Sequence, residues 1–299
     1  MRRIPLLEKG GIITERDSDL CTVRLRIPAG IVTPAQLLNI SEIAKKYGAD
    51  TLHLTTRQTI EIPHLDPEKA EEIVSDLEEN GTPLGAERAE VVNIIACPGV
   101  ERCRLAQIET ISLAKAIDEK HFGKEMPCKT RIAISGCPNS CVSSSLNEVG
   151  IVGVVTPVRN PGTCTGCGTC VQYCRESAIR ILNGVIELDE DACVHCGMCI
   201  HCCPFHIIKA KDAGYYITVG GRRGRHPKFG RDFVVVRKVE AVHTVVDAVV
   251  NWVYRRAWGD RLLPYQMDDI GFDTFREEVV STLPPESVIV WKKKQKKNS

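Results

Sequence analysis

Residues 164–174, CTGCGTCVQYC, and residues 193–204, CVHCGMCIHCCP, decide how this chain is to be read. Each places four cysteines as C-x2-C-x2-C-x3-C: Cys164, Cys167, Cys170 and Cys174, then Cys193, Cys196, Cys199 and Cys203. The repeat is wider than the cysteines, because residues 164–181 match residues 193–210 at a constant offset. Four thiolates at such spacing suit an iron–sulfur cube, which needs one sulfur on each iron. Zinc is the alternative for any CxxC pair. Structural zinc sites, however, use two separated pairs or mix cysteine with histidine, so the repeated run favours iron and sulfur.

The spacing is that of bacterial two-cluster ferredoxins, in which the fourth cysteine of each run serves the other cluster. That likeness pairs Cys164, Cys167 and Cys170 with Cys203, and Cys193, Cys196 and Cys199 with Cys174. Arg175 replaces the proline that follows the first run in such proteins, whereas Pro204 follows the second. His195, His201 and His206 read as solvent-facing or supporting groups. Such a module stores single electrons, so its host domain needs electrons delivered one at a time. Of fifteen cysteines, four more form a split set, Cys97-x5-Cys103 and Cys137-x3-Cys141. Cys21, Cys128 and Cys202 are left without a ligand role.

The remaining sequence describes the host. Its 299 residues carry a net charge of +1, so nucleic acid is not an expected partner. Met1 to Gly11 has no apolar signal core and no run is long enough to span a membrane, so a cytoplasmic, reducing and anaerobic setting is expected. Leu20 to Ile27 alternates as a strand, with Arg24 and Arg26 on the face opposite Cys21, Val23, Leu25 and Ile27. Thr33-Pro34 opens a helix that Gly48 closes. Thr51 to Thr56 and Thr59 to Ile62 are extended, and Asp66-Pro67 opens a second helix with a solvated acidic face. A helix is expected over Leu105 to Ile117 and strands over Arg131 to Ser135, Val149 to Val155 and Tyr215 to Val219. A valine-rich helix follows from Val242. Pro157 to Pro161 reads as a linker, and Lys292 to Lys297 as a solubilising tail.

Several motifs, in order, resemble those of sulfite and nitrite reductases. Cys97-Pro-Gly-Val-Glu-Arg-Cys103 with Gly136-Cys137-Pro-Asn-Ser-Cys141 is similar to their paired cysteine motif. Leu54-Thr-Thr-Arg-Gln58 resembles their siroheme and substrate motif, Asn147 to Gly153 the strand after the second pair, and Val219 to Pro227 a late glycine-basic motif. The resemblance implies an α+β fold of ferredoxin-like sulfite reductase units, with helices packed on mixed sheets and an inserted two-cluster 4Fe-4S ferredoxin domain. The expected divisions are a ferredoxin-like half domain (1–65), the first part of the siroheme and 4Fe-4S domain (66–158), the insertion (159–212) and the rest of the siroheme domain with C-terminal helices (213–299).

The resemblance also implies siroheme and three 4Fe-4S clusters, one of them bonded to the heme iron through Cys141. Siroheme carries eight carboxylates, which Arg222, Arg223, Arg225 and His226 suit. Thr55, Thr56, Gln58, Asn93 and Asn139 are further contacts. Arg57, Lys129 and Arg131 fall where the family places substrate cations. The family's Arg-Asn before the first cysteine is here Val92-Asn93, so one cation is missing, with Arg102, Arg104 or Arg88 as replacements. Expected activity is six-electron reduction of sulfite to sulfide, with nitrite reduction to ammonia or a non-catalytic redox or anion-sensing role as alternatives. Reduced ferredoxin or another low-potential donor would supply electrons. Larger relatives carry two copies of this unit, so a homodimer with shared sites is expected.

Overall fold

The computed structural model describes residues 10–160, 162, 164–259 and 261–290; the expected lysine tail and part of the expected linker, Pro161, lie outside them. The first unit is an antiparallel sheet of β1 (Ile12–Thr14), β2 (Cys21–Arg24), β3 (His53–Leu54) and β4 (Ile60–Leu65), in the order β1-β2-β4-β3. It is backed by α1 (Pro34–Lys46) and α2 (Ala70–Glu79). Thr33 starts α1 with a full capping box. Its hydroxyl accepts from the Gln36 N–H at 3.1 Å, and the Gln36 side-chain oxygen accepts from the Thr33 N–H at 3.0 Å. Ile40 and Ile43 of α1 and Ala70, Ile73 and Leu77 of α2 bury against Val23, Ile62 and Leu65. The division expected at residue 65 therefore cuts through a core: α2 belongs to the first unit because its apolar stripe has no other surface to bury.

The second unit is a five-stranded mixed sheet. Its strands are β5 (Val91–Ala96), β6 (Thr130–Ser135), β7 (Val149–Arg159), β10 (Ile208–Val219) and β11 (Arg231–Val236), in the order β11-β10-β7-β6-β5. β5, β6 and β7 run parallel, while β10 and β11 are antiparallel to their neighbours. α3 (Ile111–His121) crosses between β5 and β6; α6 (Val239–Arg256) and α7 (Phe272–Thr282) complete the layer. Val242, Val245, Val246, Val249 and Val253 of α6 are buried in the core, each contributing roughly 1.5–3 kcal/mol. α3 begins at Ile111, not Leu105, because residues 105–110 are spent on turns that include the Ala106 N–H to Cys103 oxygen bond. Pro157 is not linker: β7 continues to Arg159, paired with β10 up to Arg159 opposite Ile208.

Between those paired ends lie α4 (Thr169–Tyr173), the hairpin of β8 (Ile179–Leu182) and β9 (Val185–Leu188), and α5 (Met198–Cys202). The sequence repeat is also a backbone repeat. Positive φ occurs at Gly166 and His195, at Gly168 and Gly197, and at Ser177 and His206. Gly168 and Gly197 each precede one of the two short helices. His195 adopts a left-handed conformation (φ 58) that its counterpart takes as glycine, so the fold of the loop overrides the residue's own preference.

The two larger units are fastened by specific bonds. Arg26 donates to the Asp118 carboxylate (2.7 Å) and carbonyl (3.1 Å) and lies over the Phe122 ring. Gln58, at positive φ, donates to the Ala96 carbonyl (2.7 Å) and accepts from the Ala96 N–H (2.9 Å), extending the edge of β5 by one side-chain rung. No helix of the described residues is long and apolar enough to cross a membrane. Replacing the α1 cap, Thr33→Ala, is expected to cost about 1 kcal/mol in chemical denaturation while leaving iron content unchanged.

Candidate functional site

The split cysteine set is assembled by strand geometry. β5 and β6 are parallel neighbours, with Ala96 opposite Ile134, so the chain leaves both at one edge of the sheet. Cys97 follows the first strand and Gly136-Cys137 the second. Ligand groups gather at such carboxyl edges because the loops after parallel strands meet there. The Cys97 N–H bonds to the Ile134 carbonyl (3.1 Å), and the Gly136 N–H points at the Cys97 sulfur (3.0 Å). Burial pushes the Cys137 thiol up, and Cys103, Cys141 and Cys97 push it further, so the other three sulfurs of the set lie within electrostatic reach of Cys137. Cys141 is the exposed member, standing where a group outside the chain has access.

The repeated runs gather as two mixed sets. One cavity is lined by Cys164, Cys167, Cys170 and Cys203, and another by Cys174, Cys193, Cys196 and Cys199. Backbone N–H groups aim at three of these sulfurs: Ala178 at Cys174 (3.3 Å), His195 at Cys193 (3.4 Å) and Ile207 at Cys203 (3.4 Å). Such donors favour the thiolate and set the potential of a bound cluster. Among the described residues no three Cys, His, Asp or Glu side chains surround a point fit for a single metal ion. A cube asks for a different arrangement, with sulfurs held apart and each on its own iron. Cys21 and Cys128 are buried with their thiols pushed up to about 11, as packed core groups would be.

The cavity holding Cys193, Cys196, Cys199 and Cys174 is also lined by Cys137, Pro138 and Asn139. Gln107 stitches the two cysteine loops together. Its side chain donates to the Cys196 carbonyl (3.3 Å), and its backbone N–H donates to the Gly136 carbonyl (2.6 Å). The second run thus abuts the split set. No sequence pattern marks Gln107, because its role comes from contacts remote in the chain.

The glycine-basic segment docks beside Cys141. Gly220 and Gly221 donate to the carbonyls of Glu148 and Asn147, and Arg222 and Lys228 exchange backbone bonds to close a loop. A side chain on Gly221 would stand 2.4 Å from two carbonyl oxygens, so only glycine fits that contact. Arg223 donates to the Val142 carbonyl (2.6 Å), while its buried Nε has no hydrogen-bond partner among the described residues. Burial lowers the Arg223 pKa, an imbalance that an acidic ligand would relieve. The buried Asn93 oxygen likewise lacks a donor among the described residues. Arg222 is buried with its guanidinium over the Tyr265 ring, whereas Arg225, His226 and Asn139 are exposed. These groups fit a polycarboxylate macrocycle beside Cys141. Of the Leu54 to Gln58 motif, the Thr55 hydroxyl accepts from the Arg57 N–H (3.2 Å), Thr56 is exposed, and Gln58 has its amide committed to Ala96.

The expected substrate cations form one cluster. Arg131 is held by Glu148 through two guanidinium bonds (2.8 and 2.6 Å), and its backbone N–H bonds to the same carboxylate (3.0 Å). Arg57 reaches Glu87 at 3.0 Å, Lys129 reaches it at 3.4 Å, and Arg24 pairs with it as well. Burial and the neighbouring Arg24 and Arg131 push the Arg57 pKa down to about 10, and burial with Arg57 and Arg131 lowers that of Lys129. Arg57 remains charged at neutral pH. Val92 lies in a small cavity with Arg24, Arg26 and Arg57, so two of the cations nearest the missing one come from β2 and the residues just after it. The expected replacements Arg102 and Arg104 are exposed in the loop after β5. Strand alternation set Arg24 apart from the apolar face, but the second unit covers that face and Arg24 is only 8% exposed.

Known proteins of like sequence place the chain in a family. Residues 13–80 match the nitrite/sulfite reductase ferredoxin-like half domain, and residues 87–286 match the nitrite and sulphite reductase 4Fe-4S domain. The chain belongs to the nitrite and sulfite reductase family, and membership supports siroheme and iron–sulfur cofactors. It is 32% identical over 286 residues to the coenzyme F420-dependent sulfite reductase of Methanocaldococcus jannaschii, a match covering 92% of this chain and 45% of that protein. It thus spans less than half of that relative's length. It is 28% identical over 292 residues to a subunit of the anaerobic sulfite reductase of Salmonella typhimurium, covering 89% of this chain and 86% of that one. The crystal structure of dissimilatory sulfite reductase I has the same fold, with a TM-score of 0.71 at 19% identity, over 93% of this chain and 73% of that one.

Glu148 is 1% exposed and holds Arg131 in place. Glu148→Ala is expected to destabilise the protein by about 3 kcal/mol, since it strands a partly buried cation; urea denaturation with and without Arg131→Met measures the coupling.

Proposed function

We propose that the protein is a siroheme- and iron–sulfur-dependent reductase that carries six electrons to sulfite, giving sulfide, with nitrite reduction to ammonia as an equal alternative. The observation that carries this reading is the gathering of Cys97, Cys103, Cys137 and Cys141 at one sheet edge, beside a basic loop whose Arg223 has an unused buried donor. Cys141 would join a 4Fe-4S cluster to the siroheme iron, which when bound supplies the redox centre and an open coordination position. Arg222, Arg223, Arg225 and His226 would hold its carboxylates, with Thr55, Thr56, Gln58, Asn93 and Asn139 around it. Arg57, Lys129 and Arg131 bind and orient the anion and deliver protons as oxygen leaves as water.

Cys164, Cys167, Cys170 and Cys203, and Cys193, Cys196, Cys199 and Cys174, would hold two further clusters as an inserted ferredoxin-type module within residues 159–212. The first set has the exposed Cys167 and faces outward, whereas the second abuts Cys137. That polarity favours electrons arriving from reduced ferredoxin or another low-potential donor at the first set, in the cytoplasm, and leaving from the second.

A homodimer in which one chain's cations face the siroheme held by its partner is proposed by analogy with larger relatives that carry two copies of this unit. A non-catalytic redox or anion-sensing role is the second reading, favoured by Val92, an apolar residue in the cation cavity.

Anaerobic purification, absorption spectroscopy and assay with both anions test the reading; protein lacking a siroheme band overturns it. Arg57→Ala is expected to weaken anion binding at least ten-fold with siroheme content near normal. Mixing Arg57→Ala with Cys141→Ser chains is expected to restore part of the activity, since each supplies what the other lacks; inactive mixed dimers refute the shared site.

A further inference from the structure

Glu87 is the carboxylate on which the expected substrate cations converge, and no family motif led to it. Its two oxygens meet Arg57 (3.0 Å), Lys129 (3.4 Å) and Arg24, much as an oxyanion would. The other carboxylates of the cluster are anchors. Glu148 grips Arg131 through both guanidinium and backbone, and Glu61 holds Arg24 by its Nε at 2.7 Å. With these in place, Arg24 and Arg131 stay fixed whether or not Glu87 is present. Arg57 and Lys129 differ, because Glu87 is their one carboxylate partner among the described residues. Glu87 also lies on the connection between α2 and β5, outside regular structure, with its side chain 30% exposed. It is a partly exposed carboxylate over a cluster in which Arg24 and Arg131 are held independently of it.

We propose that Glu87 is an internal counter-ion occupying the oxyanion site, and that substrate binds by displacing its carboxylate from Arg57 and Lys129. The inference rests on reading these cations as the substrate site. Its physical content is a charge balance. Arg24, Arg57, Lys129 and Arg131 face Glu61, Glu87 and Glu148, so the resting cluster holds one net positive charge and displacement of Glu87 uncovers a second. The exchange screens the site. A weakly held ion such as chloride gains too little to expel a carboxylate already paired with three cations. A compact oxyanion that also gains a bond to the heme iron does expel it. The cations meanwhile are kept from being driven apart by mutual repulsion, at the cost of lower affinity for every anion.

The test compares holoprotein carrying Glu87→Gln, Glu87→Ser or Glu87→Asp with the native chain. Dissociation constants for sulfite and nitrite are read from the heme absorption of the oxidised protein, without turnover. Both neutral variants are expected to bind the anions at least ten-fold more tightly, to become inhibitable by chloride, and to lower KM with kcat unchanged or reduced; Glu87→Asp is expected to stay near native. Neutral variants that hold siroheme and bind the anions no more tightly than the native chain overturn the proposal, since a merely structural carboxylate predicts loosened cations and weaker binding. Arg57→Ala in the native and Glu87→Gln backgrounds separates the two levels. If it leaves binding unchanged in both, the substrate site itself is misassigned; if it weakens binding in both while Glu87→Gln brings no gain, only the role of Glu87 fails.

Discussion

The parallel pairing of β5 with β6 is the constraint from which the site follows. Cysteines far apart in sequence become neighbours because two adjacent strands of the same polarity end at the same edge. Were either strand reversed, Cys97 and Cys137 would emerge at opposite ends of the sheet and no cube would be bridged. The remaining loops are shaped by this arrangement: Gly136 turns its N–H onto the Cys97 sulfur, and Gly153 of β7 leaves room for the Gly136 carbonyl, which would stand 2.3 Å from any side-chain carbon there.

Electrostatics organises the opposite end of the strands. Four cations share a largely buried cluster, where burial first and their mutual repulsion second lower the Arg57 and Lys129 pKa values, and carboxylates stand among them. The local ion pairs thus account for how the cations are held together.

Much of this was legible in the sequence where chemistry and local rules coincide. The cysteine runs, the Thr33 cap and the strand leading into Cys137 follow from spacing and propensity. What failed did so for tertiary reasons. Arg24 sits in a strand that alternates correctly, yet the face opposite its apolar residues is covered by a second unit that no periodicity announces. The turns over residues 105–110 displaced an expected helix because Gln107 is held by Gly136 and Cys196. Pro157 suggested a break, but it continues a strand whose register is imposed by β10. Glu87 carries no motif at all, and its importance comes from three side chains drawn from β2, the loop after β3 and the loop before β6.

The long antiparallel ladder of β7 and β10 has a further consequence. The chain leaves it at Arg159 and returns at Ile208, directly across from where it left. Excising everything between would require only a tight turn to rejoin the ends, and the sheet beneath would keep its register. The cysteine-rich segment is therefore mounted on a stiff two-stranded stem, and beyond that stem it is tied to the sheet through Gln107 and the cavity it shares with Cys137.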